Sequence, residues 1–149
     1  PLGWVDDAGV HLPPAQPARP VPFAGLQLDE PWPQVAILHG CVEPPSALIP
    51  ALLKSGVRGL VFTGTGACQL SAVERSALEN WPEPLPLMLR ANRCGSGPVH
   101  RCEQYARLGL LPAGRLSPQK ARVLLILALM AGLNRPQLAE VLAVMVGSG

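Results

Sequence analysis

Beyond the opening segment, six Cys and His side chains carry ligating or nucleophilic chemistry: His39, Cys41, Cys68, Cys94, His100 and Cys102. Thiolate and imidazole are good zinc ligands, and a thiol beside a base is a nucleophile. Metal sites built from such residues usually pair them at short spacing, and here no Cys-x-x-Cys occurs. The spacing therefore favours buried structural cysteines over a metal centre, and no cofactor is expected. Cys68 stands out because it follows a glycine turn, but a reactive thiol also needs a lowered pKa and a neighbouring base. The turn itself, Thr63-Gly64-Thr65-Gly66, offers backbone N–H groups that can cradle an anion near a helix start. It lacks the third glycine of a dinucleotide fingerprint and the lysine of a P-loop, so nucleotide binding ranks below a simple tight turn.

Elements must bring these residues together, and the apolar pattern names them. Val35 to Leu38 and Leu60 to Phe62 are apolar at every position, as in strands covered on both faces; Leu85 to Leu89 is a third such run. Between the first two, Ser46 is placed to cap a helix with Leu48, Ile49, Leu52 and Leu53 on one face, Pro50 in its first turn and Gly56 at its stop. Between the second pair, Ser71-Ala-Val-Glu74 is a capping box, followed by Val73, Ala77, Leu78 and Trp81 on one side and ended by Pro82. Ser117-Pro118 opens a helix that runs to Gly132, and Asn134 with Gln137 opens a last one ending near Val146. The stretch from Asn92 to Gly114, with a turn at Cys94 to Gly97 and weakly apolar Leu108 to Leu111, carries no clear period.

Alternating strands and helices predict the α/β class: a small parallel, Rossmann-like three-layer sheet of about four strands with right-handed crossovers and helices on both sides. Ligands of such sheets sit beyond the carboxyl ends of the strands, which here carry His39-Gly40-Cys41, Thr63 to Gly66 and Arg90 to Arg93. Ahead of the sheet, apolar residues alternate loosely as Leu2 and Trp4, then Val10 and Leu12, and Asp6 to Gly9 between the two halves suggests a β-hairpin turn. A Pro-rich connection follows, with Phe23 and Leu26 or Leu28 as anchors. The organisation read from the sequence is thus a hairpin and connection over 1–34 and one α/β domain over 35–149.

Composition bounds the function. The 149 residues suffice for one domain, and 48% hydrophobic with 15% charged residues excludes extensive disorder. A net charge of +2, with its cations scattered, makes no stripe for nucleic acid. The longest apolar run, Val123 to Leu133, is shorter than the roughly 18–20 residues of a membrane span, so it reads as a buried helix. No signal-peptide pattern opens the chain, which starts at Pro1 and reads as a fragment or processed piece. The cysteine pattern suits a cytoplasmic or a periplasmic setting alike.

Three stretches, in order, carry a resemblance. Pro1-Leu-Gly-Trp-Val5 with Pro17-Ala-Arg19, Gly56-Val-Arg-Gly-Leu-Val-Phe-Thr-Gly-Thr-Gly66, and Leu116-Ser-Pro-Gln-Lys-Ala-Arg-Val-Leu-Leu125 together resemble the C-terminal domain of bacterial-type L-asparaginases. The resemblance implies an amidohydrolase that converts asparagine to aspartate and ammonia, with a threonine nucleophile and a Thr-Asp-Lys group on an N-terminal domain that this sequence does not include. It implies that the C-terminal domain reaches into a neighbouring subunit's site with an Asn after the glycine turn and a downstream Glu, within close dimers that pair into a homotetramer. The Asn position is matched by Gln69, which keeps the amide but is one methylene longer, so it can reach the substrate's α-amino or carboxylate group if the turn is displaced. Gapless pairing from the last motif puts Cys102 at the acid position; a one-residue shift puts Glu103 there, and Glu103 is preferred because a carboxylate binds an ammonium group. The implied partners are the N-terminal domain, L-asparagine or a similar amide, and further copies of the chain. The alternative from a different class is a free-standing α/β binding or scaffold module that has kept the fold and lost the reaction.

Overall fold

The computed structural model describes residues 4–6, 9–12, 23–95 and 97–146. A two-stranded antiparallel ribbon, β1 (Trp4–Asp6) with β2 (Gly9–His11), pairs Trp4 with His11 and Asp6 with Gly9. This is the expected hairpin; its turn residues Asp7 and Ala8, and Pro13 to Pro22 of the connection, lie outside the described residues. Of the anchors, Phe23 packs on the core and Leu26 is half-buried, whereas Leu28 is exposed.

The main sheet is parallel in the order β3 (Val35–His39), β4 (Gly59–Gly64), β5 (Leu87–Asn92), β6 (Leu110–Pro112). Because the sheet grows in one direction, crossovers of one hand all pass over the same face. That face receives α1 (Leu48–Lys54), α2 (Ala72–Glu79) and α3 (Glu103–Arg107), and the opposite face is left for α4 (Pro118–Met130) and α5 (Arg135–Val146). Alternation along the strands feeds both cores. Ile37, Val61, Leu89 and Leu111 stand in one register row toward α4, while Ala36, Leu60, Met88 and Leu110 stand in the next row toward the crossover helices. On α4 the buried positions Ala121, Leu124, Leu125 and Ala128 recur at helical spacing. Gly59 lets this helix close on the sheet, since a Cβ there would lie 2.8 Å from Leu125 Cδ2. Among the described residues no helix is long and apolar enough to cross a membrane.

Local signals hold at most helix starts. Ser71 Oγ accepts from the Glu74 N–H at 3.2 Å and Glu74 Oε2 accepts from the Ser71 N–H at 2.7 Å, completing the capping box. Asn134 and Gln137 exchange the same pair of bonds at α5, at 2.9 and 3.0 Å. Ser46 is a correction: a turn closed by the Leu48 N–H on the Pro45 carbonyl at 3.0 Å delays the helix, and the cap position falls on Ala47, whose methyl accepts nothing. The face of α2 is also turned, with Glu74 and Leu78 buried and Val73 38% exposed. The third strand starts after Pro86, which has no N–H to give, and runs on through Arg90 to Asn92. The aperiodic stretch after it contains α3 and the fourth strand.

Candidate functional site

The carboxyl ends of β3, β4 and β5 meet as the topology requires, and hydrogen bonds tie them. The Gly40 N–H donates to the Thr63 carbonyl at 2.7 Å, the Arg93 N–H to the Gly64 carbonyl at 3.0 Å, and Arg93 Nη1 to the Gly40 carbonyl at 3.3 Å. Thr63, buried at 2% exposure, shares a 3.0 Å hydrogen bond with Nδ1 of exposed His39. The glycine turn then folds over itself: a Cβ on Gly64 would lie 3.0 Å from the Cys68 Cα, and Cys68 adopts φ 53°, the left-handed region that side chains rarely enter.

Cys68 is therefore a structural residue. Its side chain is buried, its Sγ donates to the Phe62 carbonyl at 3.3 Å, and burial pushes the thiol pKa up against the opposing pull of the Arg90 charge. A thiol held protonated is a poor nucleophile. Cys41 and Cys94 are exposed and Cys102 is half-buried; among the described residues no three ligating side chains gather into a metal site. At the start of α2 the Ser71 N–H is taken by the carboxylate of Glu74, which sets a negative group beside the helix N-terminus.

A buried cation organises the other side of the turn. Arg90 follows Met88 toward the crossover face, in the row of Leu38 and Phe62, and is 1% exposed. Its Nη1 donates to the Ala67 carbonyl at 2.8 Å and its Nη2 to the His100 carbonyl at 2.7 Å, while its Nε has no hydrogen-bond partner. The guanidinium lies 4.2 Å from the centroid of the Tyr105 ring, and burial lowers its pKa from a value high enough that the charge persists. Arg90 thus clamps the turn before Gln69 to the segment before α3. Tyr105, on α3, completes the clamp: its hydroxyl accepts from the Leu70 N–H at 3.0 Å and donates to Gln69 Oε1 at 2.8 Å.

A family model described as Glutaminase/Asparaginase C-terminal domain matches residues 34–142, which is most of the chain. The chain belongs to that family. It is a C-terminal domain of the bacterial L-asparaginase type. It is 38% identical over 115 residues to L-asparaginase 2 of Bacillus subtilis, covering 77% of this chain and 30% of that protein. It is 31% identical over 133 residues to the probable periplasmic L-asparaginase of Haemophilus influenzae, covering 86% and 38%. The crystal structure of a probable cytoplasmic L-asparaginase from Campylobacter jejuni superposes with a TM-score of 0.70 at 27% identity, over 95% of this chain and 46% of that one. The chain spans less than half the length of these relatives.

Within this asparaginase-type domain, both expected contact residues are exposed. Gln69 is exposed at the end of the glycine turn and bonded to α3 through Tyr105. Glu103 opens α3 with its side chain 67% exposed, in loose ion pairs with Arg101 at 3.8 Å and Arg107 at 3.9 Å. Cys102, the gapless alternative, is the backbone cap of that helix. Sequence reasoning missed Arg90 and Tyr105 as a unit. The available signals were a charge two residues past Met88, in step with it at the end of an apolar run, and the chain's single tyrosine.

Proposed function

We propose that this chain is the site-completing half of an L-asparaginase-like amidohydrolase, which hydrolyses asparagine with water to aspartate and ammonia. On this reading residues 1–34 lead into an α/β unit at 35–149, an N-terminal domain supplies the threonine nucleophile, and Gln69 and Glu103 reach a neighbouring subunit's substrate within a dimer of dimers. The observation that carries it is the pinned Gln69: an exposed amide at the strand-end turn, held by a buried tyrosine, in a domain of this family. Glu103 suits the companion role, since an exposed carboxylate in weak pairs is free to exchange them for a substrate ammonium. Exposed apolar side chains such as Val123 on α4 and Val144 on α5 supply surface for subunit contacts.

The test is ammonia release. The pure 149-residue chain should hydrolyse neither asparagine nor glutamine, and should associate with itself at micromolar concentration in sedimentation. Joined to an N-terminal domain bearing the nucleophile, it should hydrolyse asparagine with a KM that rises when Gln69 or Glu103 is truncated. Activity of the isolated chain, or indifference of the joined enzyme to both truncations, would overturn the assignment.

A further inference from the structure

The Tyr105 hydroxyl has one proton to give and a buried site in which to give it. Tyr105 is 1% exposed, so water does not serve it, and a buried O–H goes to a protein acceptor. Of its two neighbours, the Leu70 N–H at 3.0 Å is a donor only and uses the phenolic lone pair. The proton is left with one destination, the Gln69 side chain at 2.8 Å, and the atom there must be the amide oxygen. This fixes which way the amide faces: Oε1 inward, both Nε2 protons away from Tyr105. The ring cannot drift to relax this choice, because Arg90 stacks on it and fastens Ala67 and His100 on either side.

We infer that Gln69 presents a hydrogen-bond donor, not an acceptor, to the substrate, so that it takes the α-carboxylate, and that Tyr105 is the positioning residue that sets this polarity. The inference rests on the proposed substrate-binding role of Gln69 and sharpens it. A carboxylate accepting from Nε2 gains a charge-assisted bond, whereas an ammonium would have only the second lone pair of an inward-facing oxygen already engaged by Tyr105. The α-ammonium is then left to Glu103, and the two residues divide the substrate's charges between them.

Two shortened amides separate these roles in the complete enzyme carrying this domain. Succinic acid monoamide keeps the carboxylate and lacks the amine; 3-aminopropanamide keeps the amine and lacks the carboxylate. Gln69→Met should raise KM for asparagine and the monoamide about tenfold, and leave 3-aminopropanamide unchanged. Tyr105→Phe, which frees the amide to turn, should raise KM for the monoamide about threefold with kcat preserved, and should add nothing in the Gln69→Met background. A loss confined to 3-aminopropanamide would overturn the donor assignment while sparing the binding role. No change with any of the three amides would defeat the binding role itself. A Tyr105 effect that persists in full without Gln69 would reduce Tyr105 to a packing residue. In the 149-residue chain, nitrogen-15 spectra should show Gln69 Nε2 protons exchanging freely with water, and proton spectra should show a protected Tyr105 hydroxyl; protected Nε2 protons would refute the polarity directly.

Discussion

The two faces of the sheet are held together by different physics. Toward α4 and α5 the apolar cluster is built from Val, Leu, Ile and Ala, with Val35, Val61, Leu89, Leu125 and Leu138 among its members, and the buried Thr63, in register with Ala91, adds a polar side chain at its strand-end edge. Toward the crossover helices the apolar cluster around Leu60, Phe62 and Met88 is interrupted by Arg90, the Tyr105 hydroxyl and the Cys68 thiol, each placed by a directional bond. Dispersion and hydrophobic burial are tolerant of which apolar group fills a space, and directional polar contacts are not. The aliphatic face can therefore stabilise the domain without specifying a site. The polar face gives up some of its stability to hold one loop in one conformation, and the candidate substrate residue sits on that loop.

Cutting one residue from each face tests this division. Leu125→Ala should cost about 3 kcal/mol by opening a cavity under α4, read as a shift of the denaturation midpoint. The folded mutant should keep the Tyr105 hydroxyl protected, because nothing on the aliphatic face touches that bond. Arg90→Met should cost about 2 kcal/mol, since it leaves the Ala67 and His100 carbonyls without their charged donor but fills the space. Its signature should be local: the Tyr105 hydroxyl becomes exchangeable and the turn at Ala67 to Gln69 loosens. Equal local loosening in both mutants would erase the distinction between the faces.

The contrast also explains what the sequence made legible. Strands β3 and β4, the helix α4 and the caps at Ser71, Ser117 and Asn134 follow from apolar period and from bonds between residues three apart, both local quantities. The fourth strand hid because it is three residues long and ends in Pro112, which an edge strand tolerates and a propensity reading rejects. Helix α3, of five residues, is too short to show a period. Gln69 and Glu103 were singled out by resemblance to the family motifs, Glu103 only after a one-residue shift from Cys102, and they stand as proposals. Arg90 and Tyr105 were out of such reach, since each is explained by partners 10 to 36 residues away in the chain that only the fold brings near.

The next difference is one of pH. Cys68 is buried on the polar face and its thiol pKa is raised by that burial, with the nearby Arg90 charge opposing and losing. In the unfolded chain the same thiol ionises in its ordinary range, so as pH climbs through that range the unfolded state gives up a proton that the folded state keeps. The contribution to stability is fully present below the ordinary thiol pKa and declines as pH rises toward the folded value. Wild type should therefore lose more stability on alkaline titration than Cys68→Ala, measured as the difference between their denaturation midpoints at each pH. Parallel midpoints across the thiol range would mean that the thiol is not desolvated as its position requires.

The smallest expected effects come from two serines that cap helices on opposite faces. Ser71 starts α2 on the polar side, where its hydroxyl and the buried Glu74 carboxylate satisfy each other's backbone N–H groups. Ser117 starts α4 on the aliphatic side with a single bond to the Lys120 N–H at 3.3 Å, and Pro118 in the first helical position already fixes the backbone there. A cap is worth more where a second bond depends on the conformation it enforces. Ser71→Ala should accordingly cost about 1 kcal/mol and Ser117→Ala about half that, both read from denaturant midpoints at unchanged slope. Ser71 follows Gln69 by two residues, so its loss should also broaden the Gln69 side-chain amide resonance, whereas Ser117→Ala should leave that resonance alone. If the two alanines cost the same and neither reaches Gln69, helix capping is independent of the face on which it occurs, and the coupling of stability to site geometry belongs to Arg90 and Tyr105 alone.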